Sequence, residues 1–87
     1  MKGYTVITSD DRTAGHVVDV VGDNLIVEHG VLFKRRRPLP RAFAHADDLE
    51  QVIRTSISSR ILENAPDADD TSAVAQHYGL EEPEPRR

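Results

Sequence analysis

Residues 14–29 read Ala14-Gly15-His16-Val17-Val18-Asp19-Val20-Val21-Gly22-Asp23-Asn24-Leu25-Ile26-Val27-Glu28-His29. Four of the six residues from His16 to Val21 are valine. β-Branched side chains are stiff at χ1 and fit a pleated strand better than a helix. Gly22-Asp23-Asn24 is a short polar turn, and Leu25 to His29 runs back from it. Two strands joined by so short a loop form an antiparallel hairpin. The rest of the chain is placed around that hairpin.

Upstream, Tyr4-Thr5-Val6-Ile7 reads as a short strand, and Ser9 to Gly15 as a polar turn. Downstream, Gly30 punctuates the chain before the brief apolar run Val31-Leu32-Phe33. Lys34 to Arg41 is a basic loop bounded by proline. Neither Pro38 nor Pro40 suits a central strand, because proline has no backbone donor. Ala42 to Ala46 resumes the sheet, and Asp47-Asp48 is a further turn. Leu49 to Ile57 has positions for either a helix face or a strand, and its dense β-branching favours the strand. Ser58-Ser59 cap a helical turn through Glu63. Thr71 to Tyr78 is a second helix, with Val74 and Tyr78 one turn apart and Gly79 ending it.

Alternation assigns Val18 and Val20 to one face of their strand and Val17 and Val21 to the other. Ile26 lies opposite Leu25 and Val27. With apolar residues on both faces, the second face should meet a cover. Val17, Val21 and Ile26 are therefore the candidate face for barrel closure under a C-terminal helix, or for contact with a second copy.

The chain has 87 residues, 38% apolar and 30% charged, and this length suits one domain with a thin margin of stability. It has no cysteine, which excludes disulfides and thiolate metal sites and fits a reducing compartment. No run approaches the roughly 20 apolar residues of a membrane span, and no signal peptide is visible. A cytoplasmic protein without membrane insertion is expected.

The formal charge of −4 is unevenly distributed. Residues 1–45 carry seven lysines and arginines against five acids, and residues 46–87 carry four against ten. Lys34, Arg35, Arg36, Arg37 and Arg41 are the most distinctive local feature. They are flanked by Phe33 and Phe43, on which a nucleic-acid base could stack. Three readings stand for this cluster: a solvated or self-paired loop, a surface for an acidic protein or a second copy, and an RNA site.

Little in the chain points to catalysis. Asp10, Asp11, Asp19 and Asp23 suit turns, and lack the spacing of a calcium loop. His16, His29, His45 and His77 are scattered rather than set at metal-ligand intervals. Ser58 and Ser59 stand outside any nucleophile elbow, and the glycines are too far apart to cradle a phosphate. No enzyme activity, cofactor, metal or small-molecule substrate is expected.

The order of a strand, an Asp-containing turn, Gly15, Val17, Asp19-Val20, a hairpin, a Pro-containing segment and Phe43 to Asp48 resembles the PRC-barrel domain. In that family a stretch D-G-x-x-x-G-x-V-x-D-V bends the first strand pair. Asp10, Gly15, Val17, Asp19 and Val20 match it here, with Asp11 in place of the first glycine. Pro40, Phe43 and Ala46-Asp47 stand loosely for the family's second segment. The resemblance covers residues 4–66. It implies a mainly β fold, a small antiparallel barrel of about six short strands with one or two C-terminal helices. It also implies a non-catalytic interaction or assembly module, with a protein partner or a homodimer. The alternative is an RNA-binding accessory protein using Lys34 to Arg41. The expected organisation is a β domain over 1–66, an acidic linker and packed helix over 67–80, and a disordered tail over 81–87.

Overall fold

The computed structural model describes residues 1–30, 32, 34–66 and 70–80, and all of Thr71 except its side chain. Phe33, the acidic stretch Asp67 to Asp69 and the tail 81–87 lie outside the described residues.

Six strands form one sheet: β1 (Thr5–Ile7), β2 (Thr13–Val21), β3 (Asn24–His29), β4 (Arg35–Pro40), β5 (Ala44–Asp47) and β6 (Val52–Thr55). Their order across the sheet is β4-β3-β2-β1-β6-β5. Two short helices follow, α1 (Ser59–Glu63) and α2 (Thr71–Tyr78). The fold is mainly β, as expected. No helix of the described residues is long and apolar enough to cross a membrane.

The β2–β3 hairpin is present, with Val21 paired to Asn24 across the two-residue turn Gly22-Asp23. Gly22 has φ +58°. A positive φ at the first turn position matches the right-handed twist of the flanking strands. The pairing of β1 with β6, inside the sheet, departs from the expectation of a purely antiparallel sheet. β1 pairs antiparallel with β2 on one side and parallel with β6 on the other. After β5 the chain turns through Asp48–Gln51, and Gln51 adopts φ +56°. It returns as β6 along the free edge of β1, where the Thr5 amide donates to the Gln51 carbonyl at 3.1 Å. Side-chain alternation specifies which residues face the core but not the direction of the neighbouring strand. β4 and β5 end the sheet. The hydrogen-bonded ladder among the described residues is therefore open rather than a closed barrel.

The basic segment is a strand rather than a loop. β4 pairs with β3 from Asn24–Pro40 to His29–Arg35. It lies at the sheet edge, the position where prolines without a donor are tolerated. The expected strand over Leu49 to Ile57 is limited to Val52–Thr55, and Leu49 is 98% exposed.

A bulge changes the faces of β2. The register passes from Val17–Val27 directly to Asp19–Ile26, leaving Val18 as an extra residue. One inserted residue reverses the parity of every side chain beyond it. Val17 faces the core at 1% exposure, whereas Val21 follows Asp19 and Ile26 to the other face and is 53% exposed. Val17 and Val21 thus do not share a face.

The core joins Val6, Val17, Leu25, Val27, Leu39 and Ile53 of the sheet to Leu62, Ala65, Val74 and Tyr78 of the C-terminal segment. Ser58 caps α1, accepting from the Ile61 amide at 3.3 Å. Asp70 caps α2 from the Ala73 amide at 3.0 Å, and Gly79 closes it at φ +71°. The caps at Ser58 and Gly79 are where the sequence places them; Asp70 lies in the stretch that the sequence assigns to an acidic linker.

Candidate binding cleft

Strand alternation divides the basic segment between two faces. Arg36 pairs with Glu28, and Glu28 pairs with His16. Arg37 stands opposite Val27, and Arg35 opposite His29, on the core-facing side. The five expected positive charges therefore do not make one patch.

On the Arg36 side the charge is largely internal. Glu28 is buried, its carboxylate accepts from Arg36 Nε at 2.9 Å, and Lys34 Nζ lies 4.0 Å away. The Arg36 guanidinium holds the Glu28 carboxyl below its ordinary pKa; burial opposes the shift and Lys34 adds to it. Arg41 lies beyond the opposite end of β4, in a 3-10 turn (Arg41–Phe43), where its amide donates to Asp23 at 2.8 Å. Phe43 is half-buried against the core, its ring centroid 6.0 Å from that of Tyr78. It is engaged in packing.

On the core-facing side, the ends of β2, β3 and β4 and helix α1 enclose a cleft of about 860 Å³. Val27 and Leu62, each 2% exposed, belong to its lining together with Ala14. Arg12, Arg35 and Arg37 also line it. Arg37 Nε donates to the Glu63 carbonyl at 3.1 Å, fixing β4 to the end of α1. Arg12 Nε lies 3.4 Å from Asp10. The Arg35 side chain has no hydrogen bond or ion pair among the described residues. His29 Nδ1 lies 3.1 Å from the Ala14 carbonyl. His16 pairs with Glu28, so the two histidines next to the hairpin occupy opposite faces rather than one site.

Two features shape the cleft wall. Thr8 closes the β1–β2 turn: its hydroxyl donates to the Arg12 carbonyl at 3.1 Å and accepts from the Arg12 amide at 3.2 Å. Asp10, in the same turn, accepts from the Ser59 amide at 2.9 Å and from the Ser59 hydroxyl at 2.6 Å. The turn aspartate thus fastens the loop to the start of α1. Asp10 is recognisable in the sequence as a turn residue, but Arg12 is not recognisable there as a cleft residue. Its only signal was a lone arginine in a polar stretch, 23 positions before Arg35.

The Ser59 hydroxyl, with other hydrogen bonds, holds the Asp10 carboxyl well below the usual carboxylate range. A depressed folded-state pKa adds stability that is fully present above the ordinary value and is lost as pH falls toward the folded value. Asp10→Asn should therefore lower the melting temperature at about pH 6, and the difference from wild type should narrow by about pH 3. Solvent exposure makes the effect small and salt-sensitive. Thermal melts at both pH values check this, and a difference independent of pH would remove the charge from the account.

Compared with family models and with curated proteins, the chain matches none.

Proposed function

We propose that the protein is a non-catalytic interaction module of PRC-barrel type, acting in the cytoplasm on a protein partner. The observation that carries this reading is the arginine-rimmed cleft over an aliphatic lining, in which Arg35 is free to meet a partner. The PRC-barrel assignment draws support from the backbone. Asp11, which stands where the family pattern has its first glycine, adopts φ +60°, and Gly15 at the second adopts φ +137°. Both positions demand a conformation that glycine enters most easily. Closure of the sheet into a barrel belongs to the same proposal. Leu25, Ile26, Val27 and Glu28 are all buried, so both faces of β3 are covered, which suits a curled sheet better than a flat one with a wet side. Val21, 53% exposed and on the face of Ile26, is the apolar residue of β2 left for a second copy.

RNA binding is the weaker reading. Lys34 and Arg36 are already paired to Glu28, Arg41 is at the far end of β4, and Phe43 packs on Tyr78. Sedimentation velocity, with and without a short mixed-sequence RNA at low and moderate salt, tests the choice. The expected result is a monomer or dimer whose sedimentation RNA does not alter. A complex that dissolves steeply with salt would favour the nucleic-acid reading.

A further inference from the structure

Building on the interaction-module reading, we infer that the cleft between α1 and the ends of β2, β3 and β4 takes an acidic peptide segment whose carboxylates alternate with aliphatic side chains. Charge complementarity is the first reason. Three arginines line the cleft, from two separate parts of the chain, with Glu63 as the acidic residue of the lining; Arg12 is paired with Asp10, which leaves Arg35 and Arg37 to meet an incoming carboxylate. The Arg35 side chain spends none of its donors among the described residues. Arg37 uses only Nε, on the Glu63 carbonyl, which leaves its terminal nitrogens for a carboxylate. A guanidinium presents donors in a planar fork that matches a carboxylate at two points.

The lining supplies the second reason. Leu32, 87% exposed, and half-buried Ala14 offer aliphatic surface beside the arginines, over a floor of nearly buried Val27 and Leu62. Such a surface takes up a leucine or valine side chain by apolar contact while the arginines meet the neighbouring carboxylates. At about 860 Å³ the cleft has room for several peptide residues. Its shape is held by the Arg37–Glu63 and Asp10–Ser59 hydrogen bonds.

The test is fluorescence anisotropy of the full chain with a labelled hexapeptide, Glu-Leu-Glu-Glu-Leu-Glu, alongside a six-glutamate peptide and a 12-nucleotide mixed RNA. Saturable binding of the mixed peptide is expected, tighter than that of the six-glutamate peptide. Arg35→Glu should weaken it by about tenfold or more, and Arg41→Glu should leave it within about twofold of wild type. The Arg35 side chain makes no bond among the described residues, so its replacement should leave the urea midpoint unchanged; Arg35→Gln repeats the test with a smaller charge change. Absence of saturable peptide binding would overturn the inference, as would equal losses in Arg35→Glu and Arg41→Glu. RNA binding sensitive to Arg35→Glu, with the peptides ignored, would assign the cleft to nucleic acid instead. The mass of the peptide after incubation separates the two levels. A cleaved or modified peptide would defeat the non-catalytic reading and keep the cleft, whereas an ignored peptide beside a stable self-associated chain would defeat the cleft and keep the module.

Discussion

Gly15→Ala is expected to cost at least about 3 kcal/mol of stability, from a combination of backbone strain and steric overlap. Gly15 lies inside β2, paired with Val6 of β1, at φ +137°. A Cβ there would overlap the Glu28 carbonyl oxygen and lie 2.9 Å from the Glu28 carbonyl carbon. The obstacle is the backbone of β3, which cannot swing aside as the end of a side chain would. A domain of this length has a total stability of about 4–13 kcal/mol, so the substitution takes a large share of it. Gly22→Ala separates the two causes. Gly22 also has a positive φ, +58°, but nothing lies within 4 Å of its added Cβ. It should lose only about 1 kcal/mol. Urea unfolding of both variants measures the difference, and equal midpoints would remove the close approach from the account. The effect extends to the cleft. The same approach of β2 to β3 places Ala14 beside His29, where the ring nitrogen reaches the Ala14 carbonyl. A Gly15→Ala chain that folds should therefore also lose affinity at the cleft.

Local chemistry explains which parts of this architecture are legible in the sequence. The valine-rich hairpin, the Ser58 cap and the Gly79 terminus each depend on residues a few positions apart, and each stands where the sequence places it. The parallel β1–β6 pairing depends on where a strand some 45 residues downstream finds a free edge, which no local pattern encodes. The Val18 bulge is a subtler case. An unbroken run of β-branched residues carries no mark of the extra residue, so strict alternation assigns Val21 to the face of Val17. The prolines of the basic segment exclude a central strand and make it read as a loop, whereas it is an edge strand. Its division between two faces followed only once Arg35 to Pro40 was known to be a strand rather than a loop. The candidate cleft was therefore half visible: Arg35 and Arg37 stand out in the sequence, while Arg12, Val27 and Leu62 join them only through the tertiary fold.

Removal of α2 should be the other large perturbation. Val74 and Tyr78 are 3% and 8% exposed and belong to the same core as Leu25 and Leu39. The Tyr78 hydroxyl donates to the Pro38 carbonyl at 2.7 Å, and burial pushes its pKa up, so it remains a donor well above neutral pH. His77 Nε2 lies 2.6 Å from the Ile61 carbonyl and connects α2 to α1. Tyr78→Ala is expected to cost about 3–5 kcal/mol, as large-to-small changes of buried aromatic residues do. Tyr78→Phe keeps the ring but strands the Pro38 carbonyl, at about 1–2 kcal/mol. Truncation after Pro66 should cost at least as much as Tyr78→Ala, and should make the chain associate through the apolar surface that α2 covers. Urea midpoints rank the three variants, and sedimentation detects the association. Proline at position 38 is what makes the Tyr78 bond informative. β4 has no amide hydrogen there, yet its carbonyl is used by a helix 40 residues downstream. A truncated chain with wild-type stability and no association would show that the sheet stands without its helix, and that the surface beneath α2 is not part of the protein's core.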